Sequence, residues 1–261
     1  MFARIFQLDA FTSRRFAGNP AAVMLLDVYP EDRVLQALAA ENNLSETAFL
    51  VRHGTGYLIR WFTPTVEVPL CGHATLASAA VVLERLEPDR NAVEFSSKSG
   101  VLTVRRAANA YVMDFPARTC RIVVPPAGLN DAIGASFNEV LWDGFNFLVR
   151  LHDAHAVRSL APDLALVVAL PCAGVIVTAA GDNDYDCVSR YFAPAKGIPE
   201  DPVTGGAHCA LAPYWAKQLE KDELRAFQAS ARGGELVCRP KGDRVELEGS
   251  CVFFLEGTAQ W

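Results

Sequence analysis

The sequence predicts an α+β protein made of two similar halves, each mostly strand around one buried helix. Three observations lead there: a long-period internal repeat, a prevalence of strand-like segments, and two helical runs with no polar face. The repeat pairs Arg60-Trp61-Phe62-Thr63-Pro64 with Arg190-Tyr191-Phe192-Ala193-Pro194, an offset of 130 residues. It continues from Cys71-Gly72-His73-Ala74 to Thr204-Gly205-Gly206-Ala207, where the glycine offset is 133. A third match sets Phe95 to Gly100 and Leu102-Thr103-Val104-Arg105 against Phe227 to Gly233 and Leu236-Val237-Cys238-Arg239. Three matches in register over this distance indicate a duplicated domain rather than a solenoid, whose repeats run to about 20–50 residues.

The elements follow in order. Residues 1–10 alternate as a strand does. A surface helix is expected over 31–41, with Pro30 suited to its first turn and Val34, Leu35 and Leu38 as its apolar stripe. Strand composition marks 46–51, 58–62, 101–105, 111–115, 164–170 and 175–179. From His73 to Leu83 the run is apolar all round, which predicts a helix buried all round. The run 207–219 is its counterpart, and Pro213 within it is expected to kink it or to mark a late start. The Pro-containing segment 116–128 reads as the linker. This sets the halves at 1–115 and 116–261, with the last strand able to return to the first half.

Composition narrows the function. A net charge of −6 with no Lys/Arg block argues against a nucleic-acid partner. No apolar run approaches the roughly 20 residues of a membrane helix, and the opening residues, with Arg4 and Asp9, do not read as a signal peptide. Seven cysteines without a CxxC pair give neither a disulfide framework nor a zinc pattern, and a reducing cytoplasm is expected.

Each apolar helix opens on a glycine turn, Cys71-Gly72-His73 in one half and Thr204-Gly205-Gly206 in the other. Unpaired N–H groups at a helix start bind anions such as carboxylate. Glycines that simply make strand-to-helix turns are the alternative reading. Two such starts facing each other would enclose one cleft.

Glu46 opens a strand whose two faces both look buried, which raises a carboxyl pKa toward the range of general acid/base work. Capping of the turn at Asn42-Asn43, or pairing with an arginine, is equally open from the pattern. Asp201, between Pro199 and Pro202, is either a solvated loop acid or part of a loop of defined shape. His73, at a helix start, is expected to be a neutral imidazole able to give or take a proton. His53, His152, His155 and His208 read as structural. Cys71 has the setting of a low-pKa thiol, but Thr204 holds the matching place in the second half, which disfavours a two-thiol racemase mechanism.

Three stretches together resemble the PhzF-like phenazine-biosynthesis family: Phe16-Ala17-Gly18-Asn19-Pro20-Ala21-Ala22-Val23, Asn43-Leu44-Ser45-Glu46-Thr47-Ala48-Phe49, and Gly197-Ile198-Pro199-Glu200-Asp201-Pro202-Val203-Thr204-Gly205. With Cys71-Gly72-His73-Ala74-Thr75 between them, the resemblance spans both halves. It implies the diaminopimelate-epimerase-like fold, two pseudo-symmetric domains each with a curled, mostly antiparallel sheet around a central helix. It also implies a cofactor-independent isomerase, homodimeric, that moves a proton on a small carboxylate-bearing substrate. Glu46 matches the proton-shuttling carboxylate, and His73 and Asp201 match the residues that assist it. Ser45, Gly72, Gly205 and Gly206 match the substrate-binding region. No metal, flavin or nicotinamide is implied. One departure stands out: the family commonly has serine where this chain has Gly206, so a hydroxyl contact worth about 1 kcal/mol is absent. Two other functions stay in view, an amino-acid epimerase using Cys71 and a non-catalytic small-molecule-binding protein that keeps the fold.

Overall fold

Residues 1–261 are described by a computed structural model. The chain falls into two units, Met1–Asp114 with Glu248–Trp261, and Phe115–Leu247.

In the first unit β1 (Phe2–Ala10) is central, antiparallel both to β2 (Asn19–Leu26) and to the C-terminal strand Cys251–Gln260. The α1 helix (Asp32–Asn42) carries the chain back, so that β3 (Glu46–His53) runs parallel to β2 with Ala21 opposite Glu46. Next come β4 (Gly56–Phe62), antiparallel to β3, and the short β5 (Glu67–Val68). The α2 helix (Gly72–Val81) then passes into a π-helical turn, Val82–Leu86. The sheet is completed by β6 (Ala92–Ser97), parallel to β4, β7 (Gly100–Ala107) and β8 (Ala110–Pro116).

Every α2 residue from His73 to Val81 is buried, as its all-round apolar character predicts. Its two hydroxyls are satisfied within the helix, Thr75 Oγ1 donating to the Cys71 carbonyl at 2.5 Å and Ser78 Oγ to that of Ala74 at 2.7 Å. Burying a Leu or Val side chain such as Leu76 or Val81 contributes about 1.5–3 kcal/mol.

The second unit runs β9 (Arg121–Ile122), α3 (Leu129–Ile133), β10 (Glu139–Trp142), β11 (Asn146–Arg150), α4 (Ala154–Ser159), α5 (Leu164–Ala169), β12 (Gly174–Ala180), β13 (Cys187–Ala193), β14 (Ile198–Asp201), α6 (Gly205–Leu219), β15 (Leu224–Gln228), β16 (Gly234–Lys241) and β17 (Arg244–Gly249). Its pairings repeat those of the first. An antiparallel pair (β1–β2, β10–β11) leads by a helical crossover to a parallel neighbour (β3, β12). An antiparallel strand follows (β4, β13), then the central helix (α2, α6), a second parallel neighbour (β6, β15) and an antiparallel partner (β7, β16). The two helices that open on glycine therefore occupy equivalent places in the two units.

Three expectations are corrected. The run 164–170, read as a strand, is the α5 helix: Asp163 accepts from the N–H groups of Ala165 at 2.9 Å and Leu166 at 3.2 Å and so starts a helix. Pro213 does not mark a late start, because α6 runs through it from Gly205. The linker 116–128 contains β9, which pairs with β10. No helix is long and apolar enough to cross a membrane.

Candidate active site

In the first unit the parallel pairing of β2 and β3 sets the start of β3 beside Pro20 and Ala21, where α2 begins. Three side chains meet there. The Glu46 carboxylate approaches His73 Nε2 to 3.2 Å, and Cys71 Sγ lies 3.4 Å from His73 Nδ1. All three residues are buried. The turn before Glu46 is closed by other groups: the Asn43 N–H, on a left-handed residue, donates to the Ala39 carbonyl, and Asn42 Nδ2 donates to Thr47 Oγ1 at 3.0 Å. Ser45 is half-buried at the strand entrance, and Gly72 is the first residue of α2.

Burial governs the imidazole. Desolvation pushes the His73 pKa down to about 3, against a smaller opposing effect from the Pro20 carbonyl, which accepts a hydrogen bond from the ring. At neutral pH the ring is uncharged, as expected, though burial rather than the helix start is the cause. The Glu46–His73 contact is therefore not a buried ion pair. Glu46, Cys71 and His73 also each offer one metal-ligating atom, and these atoms lie within 4.8 Å of one another.

In the second unit Asp201 ends β14, opposite Tyr191 of β13. It is half-buried, and Thr204 Oγ1 donates to its Oδ2 at 2.5 Å. Gln228, wholly buried at the end of β15, shapes the loop between them: its Oε1 accepts from the Thr204 N–H at 2.8 Å, and its Nε2 donates to the Asp201 carbonyl at 2.7 Å. Ser230 Oγ donates to the Pro202 carbonyl at 2.8 Å. The loop therefore has a defined shape, and Asp201 is not simply a solvated acid.

At the start of α6 the N–H groups of Ala207 and His208 turn back to the Thr204 carbonyl. Those of Gly205 and Gly206 precede them, as the first two N–H groups of a helix that have no intrahelical acceptor. His208 is buried, with Nδ1 donating to the Thr204 carbonyl at 2.8 Å; burial pushes its pKa down to about 4.

The structure thus brings Glu46, His73 and Cys71 together in one unit, and Asp201, Gly205 and Gly206 together in the other. Sequence reasoning missed Gln228 and Arg118. Gln228 carried a signal, since alternation along Leu224, Ala226 and Gln228 aims all three inward. Arg118 carried none: its guanidinium stands 3.9 Å from where a Cβ on Gly206 would lie.

Comparison with known proteins identifies the family and the fold. The profile of the PhzC-PhzF family, described as phenazine biosynthesis-like protein, matches residues 8–257. An uncharacterized isomerase of Pseudomonas aeruginosa is 51% identical over 96% of this chain and 96% of its own length. The crystal structure of a PhzF-family protein from Enterococcus faecalis superposes with a TM-score of 0.96 at 41% identity, covering 100% of both chains. At 9% identity, a hydroxyproline epimerase from Agrobacterium vitis shares the fold alone, with a TM-score of 0.63 over 98% of this chain and 92% of that one. The two repeated units, each with a mixed sheet and a buried helix opening on glycine, are those of the phenazine biosynthesis-like (PhzC-PhzF) family, to which this chain belongs.

Proposed function

We propose that the protein is an isomerase that moves a proton on a small carboxylate-bearing substrate by general acid/base catalysis, with Glu46 as the proton carrier. One observation carries the reading: a buried carboxylate lies 3.2 Å from an imidazole that burial keeps neutral. A carboxylate that takes a proton from a substrate carbon becomes neutral and can return that proton to another carbon, and a neutral imidazole beside it adds no competing buried charge. His73 polarises and positions Glu46. Asp201, held by Thr204 and the Gln228-braced loop, assists. The Gly205 and Gly206 N–H groups hold the substrate carboxylate. The isomerase naming of the 51% identical relative supports the reaction class.

The test begins with a screen of small cyclic and amino carboxylates for deuterium uptake from solvent at carbon. On a substrate so found, Glu46→Gln is expected to slow exchange by about 10²–10⁴-fold while ligand binding persists, because an amide cannot take up and return a proton at neutral pH. Wild-type exchange by that variant would overturn the assignment.

A second reading is favoured by one contact, the 3.4 Å approach of Cys71 Sγ to His73 Nδ1 at the helix start. Through it Cys71 would be the base of an amino-acid epimerase. Cys71→Ser decides between the two: the first reading expects little loss of exchange, the second a near-complete one.

A further inference from the structure

The proton-transfer reading makes no use of Cys71, although its thiol is buried against the same imidazole that faces Glu46. We infer that Glu46, Cys71 and His73 form a binding site for a thiophilic divalent cation of the zinc class, which acts as an inhibitor. Bond lengths of about 2.3 Å to sulfur and about 2.0–2.2 Å to nitrogen and oxygen place tetrahedral ligands roughly 3.3–3.6 Å apart. The Cys71 Sγ to His73 Nδ1 separation is 3.4 Å, so one edge of such a tetrahedron is already near length, while Glu46 lies 3.2 Å from the other ring nitrogen, Nε2. Chelation through Nδ1 keeps the sulfur–nitrogen edge as it stands. It requires that the Glu46 carboxylate leave Nε2 and swing toward the sulfur, within a group whose donor atoms span no more than 4.8 Å.

The donor set also selects the ion. Sulfur, nitrogen and oxygen together suit Zn²⁺ or Co²⁺, whereas Mg²⁺ and Ca²⁺ require oxygen ligands. A thiolate and a carboxylate cancel the two positive charges of the ion, so the filled site is neutral and tolerates burial. One proton leaves the Cys71 thiol for solvent per ion bound, and water completes the fourth position. Binding rests on this geometry alone. That it silences proton transfer rests on the role proposed for Glu46, whose carboxylate the ion would occupy.

The test is titration of the metal-free protein with Co²⁺. Wild type is expected to develop the near-ultraviolet thiolate-to-cobalt charge-transfer absorption at one equivalent, with Zn²⁺ bleaching it. Cys71→Ser is expected to lose the band, and His73→Ala to bind at least tenfold more weakly. No band in wild type, or an undiminished band in folded Cys71→Ser, overturns the site. A wild-type crystal soaked in Zn²⁺ needs no variant to fold: an anomalous peak bonded to these three side chains supports the site, and peaks only elsewhere overturn it. Neither measurement uses turnover, so failure here leaves the isotope-exchange test of Glu46 standing.

Discussion

Gly206 shows how one residue separates fold from specificity. Its φ is not among the positive values that favour glycine, and the only atom within 4 Å of a Cβ built there is Arg118 Nη2, at 3.9 Å. Nothing in the backbone or the packing requires glycine. We therefore expect Gly206→Ser, which supplies the side chain the family commonly carries, to fold normally, with thermal denaturation showing a stability change under about 1 kcal/mol. Its effect should appear in ligand preference instead, because a hydroxyl beside the Arg118 guanidinium alters the donors offered to a bound anion. A drop in stability of several kcal/mol would show that the glycine is structural. At the same scale the sequence offered Glu46, His73 and Asp201 as candidates, though its pattern alone left Glu46 open to a capping role and Asp201 to that of a solvated loop acid. Arg118 was not among them, since nothing local distinguishes it from other arginines.

Elements proved legible where periodicity was long and unreliable where the run was short. The stretch 164–170 has strand composition in Val167 and Val168, yet a single cap decides its form. Removing the acceptor by Asp163→Ala should cost about 1 kcal/mol, measured by denaturant titration; a change below about 0.2 kcal/mol would mean that packing of Val167 and Leu170 alone holds the helix. Pro213 in α6 has a related explanation. Proline lacks the N–H that would bond the carbonyl four residues back, that of Cys209. The backbone N–H of Arg118 donates to that carbonyl instead, at 2.9 Å. The same bond fixes Arg118 beside the start of α6. A partner more than ninety positions away in sequence is invisible to any local rule, which is why the proline looked disruptive.

Across the whole chain, acid sensitivity tests the buried imidazoles. His73 and His208 have folded pKa values of about 3 and about 4, both below the ordinary value near 6.5 that the unfolded chain restores. Below that value the unfolded state binds more protons, so their contribution to stability is whole above pH 6.5. It is lost as pH falls toward 4 and then 3. Between pH 7 and pH 5 each histidine should account for about 2 kcal/mol of lost stability. His208→Asn keeps a donor for the Thr204 carbonyl but cannot charge, and it should flatten the unfolding free energy over this range by about that amount. An unchanged pH slope would place His208 outside the acid response.

What the sequence determined by itself was the duplication, the burial of two helices without a polar face, and the glycine turns at their starts. Period and composition are local quantities, and they survive any folding that keeps helix and strand. The tertiary structure alone decided which groups meet. It set Glu46 of β3 against His73 of α2, braced the Asp201 loop with Gln228, and matched the Cys209 carbonyl to Arg118. Each of these joins residues on different elements. Such a meeting depends on how elements pack, and neither propensity nor periodicity encodes that.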